Sequence, residues 1–170
     1  MLSDYPNELL KKNGVPDGLQ LLVGCTRDEA NTFDASQLSQ SAKSKALGKW
    51  VATEYDLKKQ EGDALLSDHY PEAAYAARGS ASKSYLRAVA LETDQDMRCA
   101  LRRGAAKATA DSYVYQFDRG VGGTNFANHA DDIPFVFSAT EALDAAGAVD
   151  EDRALQGGKR GLQCHFNLRM

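Results

Sequence analysis

The chain has 170 residues, 43% hydrophobic and 26% charged, which is enough for one domain with a substantial core. Its 24 acidic and 20 basic residues leave a formal net charge of −4, and this argues against a nucleic-acid-binding surface. No run approaches the roughly 18 apolar residues of a membrane-spanning helix. The start, MLSDYPNELLKKNGVPDGLQ, lacks the basic opening followed by an apolar run that marks a signal peptide.

Residues 1–18 are rich in turn formers: Pro6, Gly14, Pro16 and Gly18. LQLLVG at 19–24 predicts a short, fully buried strand of the kind that parallel sheets use beneath flanking helices. CTRDEANTF, 25–33, is the loop where that strand ends. A helix is predicted from about 42 to 57, with Ala46, Leu47, Trp50, Val51 and Tyr55 on one apolar face and Trp50 as a core anchor. Residues 69–82, HYPEAAYAARGSAS, form a junction. Two further helices are expected over 83–91 and 96–109, the second presenting Met97, Leu101, Ala105 and Ala108 on one face. SYVYQF at 112–117 alternates and is rich in aromatics, so it predicts a strand. The glycine-bearing loop DRGVGGTN then leads into NHADDIPFVF, in which a histidine turn runs straight into a buried element. Residues 140–156 are alanine-rich and helix-prone, with Gly147 in their middle. The order of elements fits an α/β layered fold, but two or three strands cannot bury both faces of a parallel sheet, so the central sheet is incomplete.

The chemistry-bearing residues gather in two loops that follow strands, where open α/β sheets place their ligands. The first loop holds Asp28 and Glu29, and the second holds His129. A carboxylate beside a histidine fixes the imidazole tautomer and stabilises the imidazolium formed during proton transfer. The alternatives are ordinary ones. A single loop histidine is most often a turn residue, and His129 with Asp131 and Asp132 lacks the spacing of a metal site. His69 sits in a turn-like context, and His165 lies in a tail without companions. GVGGTN resembles a phosphate loop only in its glycines, and Ser80-Ala81-Ser82-Lys83 matches S-x-x-K without the companion motifs. Cys25, Cys99 and Cys164 are an odd set, too far apart for a redox or metal motif.

LLVGCTRDEANTF (21–33) resembles the acid-bearing segment of the type-B carboxylesterases, the family that includes the cholinesterases. There a strand is followed by a glycine, variable residues, Asp-Glu-Gly and a nearby Phe. The glutamate of that pattern falls on Glu29, with Ala30 in place of the usual glycine. NHADDIPFVF (128–137) resembles the family's histidine segment, placing the base on His129 and the acidic position that follows it on Asp132. That segment usually continues with glycine, where this chain has Ser138. Tyr70-Pro71 and LETDQDMRCALRRGAAKA…YVYQF (91–117) fit in the same order. Cys99-Ala100 stands where the family often has Cys-Pro, whose cysteine is disulfide-bonded in secreted members. The resemblance runs from about 18 to 138.

What it implies is an α/β-hydrolase fold acting on carboxylic esters without a cofactor or metal. Glu29 would be the triad acid and His129 the base, while Asp28 would be a loop or surface carboxylate and Asp132 a stabiliser of its loop. The partner implied is a small-molecule carboxylic ester. The family's nucleophile lies in a G-x-S-x-G elbow upstream of the acid, and none of the 28 residues before Glu29 forms one. The expectation is therefore the C-terminal portion of such a domain over 1–152, inactive and poorly folded alone, and completed by an N-terminal portion that carries the serine. Residues 153–170 hold four basic and no acidic residues, and they are expected to be a divergent basic tail, either an aberrant one or a genuinely divergent terminus. Two rival readings are a non-catalytic cholinesterase-like adhesion or scaffold protein and a small independent binding domain. The first would keep the fold without the serine. The second would unfold cooperatively from these 170 residues alone.

Overall fold

The computed structural model describes residues 5–13, 20–108 and 111–157. Helix α1 (Pro6–Asn13) precedes strand β1 (Leu21–Thr26). Two turns of 3₁₀ helix, Glu29–Thr32 and Asp34–Gln37, follow it directly. Helices α2 (Ser44–Glu54), α3 (Lys59–His69) and α4 (Lys83–Thr93) come next. A π-helical turn, Asp94–Arg98, then joins α4 to α5 (Cys99–Lys107). Strand β2 (Ser112–Phe117) leads to three short helices: α6 (Ile133–Val136), α7 (Thr140–Ala145) and α8 (Asp150–Gly157). The chain thus mixes helices with a small parallel sheet. Among the described residues no helix is long and apolar enough to cross a membrane.

β1 and β2 pair in parallel, from Leu21 opposite Ser112 to Thr26 opposite Phe117. Parallel neighbours cannot be joined by a hairpin, and here the crossover contains α2 to α5. The pairing requires close approach at one point. Gly24 lies opposite Tyr115, and a Cβ there would come within 2.3 Å of the tyrosine ring.

The strand predicted at 19–24 needs correcting. β1 begins at Leu21 and continues to Thr26, and residue 19 lies outside the described residues. Nor is it fully buried: Cys25 and Thr26 are buried at its carboxyl end, but Leu22 is 58% exposed. With a single neighbouring strand and α5 packed against the pair, Leu21 and Val23 are half-buried and, among the described residues, the face bearing Leu22 is left open.

The larger core gathers the helices. Leu47 and Val51 of α2 are fully buried against Leu66 of α3 and against Tyr85, Leu86, Ala88 and Val89 of α4. Full burial of a side chain such as Leu47 stabilises the fold by about 2 kcal/mol. Trp50 packs against this core while partly exposed, its ring edge-on to Tyr55 at 5.9 Å. Ala46, expected on the same face, is exposed. α4 is the central helix, buried nearly all round. It begins where Ser82 Oγ accepts the Tyr85 N–H at 3.1 Å, the usual work of a serine N-cap. α3 is an element that the sequence pattern did not predict. A smaller second core joins Phe117 of β2 to Val121, Ala127, Phe135, Leu143 and Ala148.

The expected element over IPFVF is only half buried. Pro134 and Phe135 face inward, while Ile133, Val136 and Phe137 are exposed, Phe137 by 74%. Four residues of helix give one buried stripe, and the opposite side meets solvent. The helix-prone stretch 140–156 is split into α7 and α8 around Gly147, which adopts φ +74°. α8 runs through position 153, where the tail was expected to begin. Residues 158–170, including Cys164 and His165, lie outside the described residues. Cys25 and Cys99 are both free.

Candidate active site

Both site loops leave the carboxyl ends of the two paired strands. β1 ends at Thr26, three residues before Glu29, and the 3₁₀ turn at 29–32 folds the glutamate back over the strand end. The Thr26 N–H donates to Glu29 Oε1 at 2.6 Å, which fixes one carboxylate oxygen. α4 holds the rest of this loop. Thr93 Oγ1 accepts from Ala30 N–H at 3.2 Å, and Glu92 accepts the Asp34 and Ala35 N–H groups at 2.9 and 2.6 Å. Burial pushes the Glu92 carboxyl up, partly offset by those two amides.

The histidine arrives from β2 by way of 118–128. His129 Nδ1 meets Glu29 Oε2 at 2.5 Å. Glu29 is buried, and the imidazole is about half exposed. With both carboxylate oxygens engaged, Glu29 acts as a fixed acceptor. An ionised carboxylate can only accept, so in that state the contact draws its proton from Nδ1 and leaves Nε2 as the basic nitrogen. No described residue hydrogen-bonds Nε2. The Phe33 ring lies 5.0 Å from the imidazole at a tilt of 55° and limits its rotation.

The turn carrying the imidazole is tightly held. Asp131 Oδ2 accepts the Asn128 N–H at 2.7 Å, and Asp131 N–H donates to Asn128 O at 3.1 Å. Burial raises the Asp131 carboxyl, with the Asn128 and Val121 amides opposing. Ala130 takes φ +70°, the left-handed region that costs a β-carbon residue about 1–2 kcal/mol. Asp132 accepts from the Tyr115 hydroxyl at 2.6 Å, which ties the end of the turn back to β2. Asn31 Nδ2 donates to Asn128 Oδ1 at 2.6 Å, and its own Oδ1 accepts from the Tyr85 hydroxyl at 2.8 Å.

Asp28 lies in the loop, as one of the two expectations had it, but it is not at the surface. It is 2% exposed and accepts a two-pronged contact from Arg78, at 2.7 and 2.8 Å, together with Arg27 Nε at 2.9 Å. Burial would raise its carboxyl, but Arg78, Arg27 and the Ala127 N–H outweigh this and hold it below the ordinary carboxylate range. It faces these cations and points to a structural task.

The other motifs are placed elsewhere. The Gly122 N–H, which a phosphate loop would offer to its ligand, donates instead to the buried Asp152 at 2.9 Å. His69 is an exposed residue at the end of α3. Ser80 is exposed and bonded to Gln40 at 2.7 Å. Among the described residues no group of three histidine, cysteine or carboxylate side chains is placed to hold a metal ion. Arg78, Asn31, Asn128 and Phe33 were missed from the sequence. The Gly79 beside Arg78 was the one local sign of a special turn.

No family model matches this sequence, and no curated protein does. The geometry therefore carries the functional argument: one imidazole oriented by one buried carboxylate, with its second nitrogen available.

Proposed function

We propose that this chain carries the acid and base of a serine carboxylic ester hydrolase of the type-B carboxylesterase kind, on part of an α/β-hydrolase sheet. The observation that carries the reading is the 2.5 Å contact between His129 Nδ1 and Glu29 Oε2, at the carboxyl ends of two parallel neighbouring strands. The sequence resemblance had paired the same two residues.

The chemistry follows from that pair. A serine hydroxyl attacks the ester carbonyl while His129 Nε2 takes its proton. Glu29 stabilises the imidazolium so formed. The new Ser–O–C bond replaces the ester C–O bond, and His129 returns the proton to the departing alcohol. Water then attacks the acyl-enzyme by the same route, releasing the acid and regenerating the serine. None of the 170 residues forms a G-x-S-x-G, so the nucleophile and its oxyanion donors would come from polypeptide outside this sequence. That observation also favours the second reading, a non-catalytic relative that keeps the fold and a residual dyad.

Sequencing the transcript across both ends of this reading frame, then assaying the protein it encodes, separates the two. A product with an in-frame G-x-S-x-G should hydrolyse a short-chain p-nitrophenyl ester and be labelled at that serine by a fluorophosphonate. In it, Glu29→Gln should lower kcat by about 10⁴-fold with little change in KM. A transcript encoding the elbow with its serine replaced would support the scaffold reading. An active product indifferent to both Glu29→Gln and His129→Ala would sink the triad assignment.

A further inference from the structure

We propose that Arg78 is a positioning residue for His129, acting through Asp28 and the main chain of 125–127. This rests on the acid–base reading of Glu29 and His129 and adds to it a residue from outside both loops.

Arg78 belongs to the connector between α3 and α4. A tight turn presents it: the Arg78 and Ala81 main chains exchange hydrogen bonds at 3.2 and 2.9 Å, with Gly79 at φ +56° between them. The turn sits close against the histidine segment, since a Cβ on Gly79 would lie 2.7 Å from Asn125 Nδ2. From this turn the guanidinium makes three directed contacts. Nη2 donates to Asp28 Oδ1 at 2.7 Å, and Nη1 donates to Asp28 Oδ2 at 2.8 Å and to the Asn125 carbonyl at 3.1 Å. Its plane rests 5.0 Å from the centre of the Phe126 ring, which packs edge-on to the buried Tyr85.

Asp28 passes this grip along the chain. Its N–H donates to Ala127 O at 3.0 Å, and its Oδ2 accepts the Ala127 N–H at 3.1 Å. One arginine therefore fixes the residue beside Glu29 and the stretch ending two residues before His129. The two ends of the acid–base contact are held in one frame. Arg27 supplements this from the same side, donating to Asp28 and to Asn125 O at 3.1 Å, but it meets the carboxylate through one nitrogen only. On the far side the Asn31–Asn128 amide contact remains when Arg78 is removed. Loss of Arg78 should thus loosen the histidine segment about Asn128 without detaching it. Lysine is a poor replacement. A single ammonium cannot reproduce the planar fork that spans the carboxylate and the carbonyl.

An ion pair that merely stabilised the fold would leave the state of the imidazole unchanged, and this makes the proposal testable. The protein encoded by the full reading frame, labelled with ¹⁵N-histidine, would be studied by NMR as wild type, Arg78→Ala, Arg78→Lys and Arg153→Ala, with urea unfolding run on each. Arg153 pairs with Asp144 at the surface, away from the dyad, and serves as the control. The wild type should show a far-downfield Nδ1–H and ring nitrogen shifts of a single tautomer with Nε2 unprotonated. Arg78→Ala should speed exchange of that proton about tenfold and mix the tautomers. Arg78→Lys should fall between, and Arg153→Ala should match the wild type. If the wild type shows the Nδ1–H bond and both Arg78 variants keep its exchange rate and tautomer, Arg78 has no positioning role and the dyad reading stands. If the wild type shows no such bond, the dyad reading itself fails, and the role of Arg78 with it. Should Arg78→Ala not fold, Arg78→Lys decides alone by the same criteria.

Discussion

Replacing Gly24 by alanine would put a methyl group 2.3 Å from Cγ and Cδ1 of Tyr115 and 2.4 Å from Cε1. Those separations are far inside contact distance, and the ring is not free to swing aside. Its hydroxyl is bound to Asp132 Oδ2 at 2.6 Å, and its backbone is in register opposite Gly24. Either the ring turns and gives up the Asp132 contact, or the two strands separate. Overpacking of this kind costs about 1–3 kcal/mol, and a lost hydrogen bond costs about 1 more. Gly24→Ala should therefore destabilise the chain by about 2–4 kcal/mol. Urea unfolding at unchanged m-value would measure it. The decisive comparison is a double-mutant cycle, because in a Tyr115→Ala background the methyl has room and the Gly24→Ala penalty should largely vanish. Should the loss be the same in both backgrounds, or below about 0.5 kcal/mol in the first, the close approach of glycine and ring is not what sets the strand pairing.

Asp152 is fully buried and accepts from Arg119 at 2.5 Å, Gly122 N–H at 2.9 Å and Val149 N–H at 3.0 Å. Asp152→Ala strands all three donors and should cost about 2–4 kcal/mol in urea unfolding, whereas a surface pair such as Lys59–Asp63 should cost under about 1. Burial would raise the Asp152 carboxyl, but the two amides and Arg119 hold it below the ordinary range, as Asp28 is held. In both cases the unfolded chain binds protons more readily than the folded one. Their stabilisation is complete above about pH 4 and is lost as pH falls through the depressed folded values, so Asp28→Asn should flatten the acid limb of a urea-midpoint-versus-pH curve. Ser138 stands where the resembled family carries glycine, and its φ is +52°. Ser138→Gly should raise stability by up to about 1 kcal/mol, and a loss of stability would contradict the strain argument.

How far the sequence could be read depended on the kind of signal each segment carried. SYVYQF alternates, and β2 has the predicted bounds. The helix at 42–57 shows its buried positions through Leu47 and Val51, although it spans only 44–54. α3 escaped because its first turn carries Gly62 and its apolar residues, Ala64, Leu65 and Leu66, are consecutive and define no periodic face. Gly62 has a packing reason instead: a Cβ there would touch Val51 Cγ1 at 3.4 Å. Glu29 and His129 could be nominated because each sits in a local pattern with recognisable neighbours. Arg78 could not. Its role comes from partners 50 and 47 positions away, and no local periodicity records such contacts. The exposure of Leu22 was also hidden, because an apolar run looks the same whether one neighbouring strand or two will cover it.

The crossover between β1 and β2 has a consequence for the order of assembly. Residues 27–111 must be gathered before Thr26 can lie beside Phe117, and only then do the loops bearing Glu29 and His129 meet. Helices form within about a microsecond, whereas pairings this distant along the chain carry a larger loop-closure cost and come late. During refolding, helical circular dichroism should therefore recover ahead of any signal from the imidazole, and the Glu29–His129 contact should be among the last to appear. A chain halted partway would show its full complement of helices and still have no oriented base.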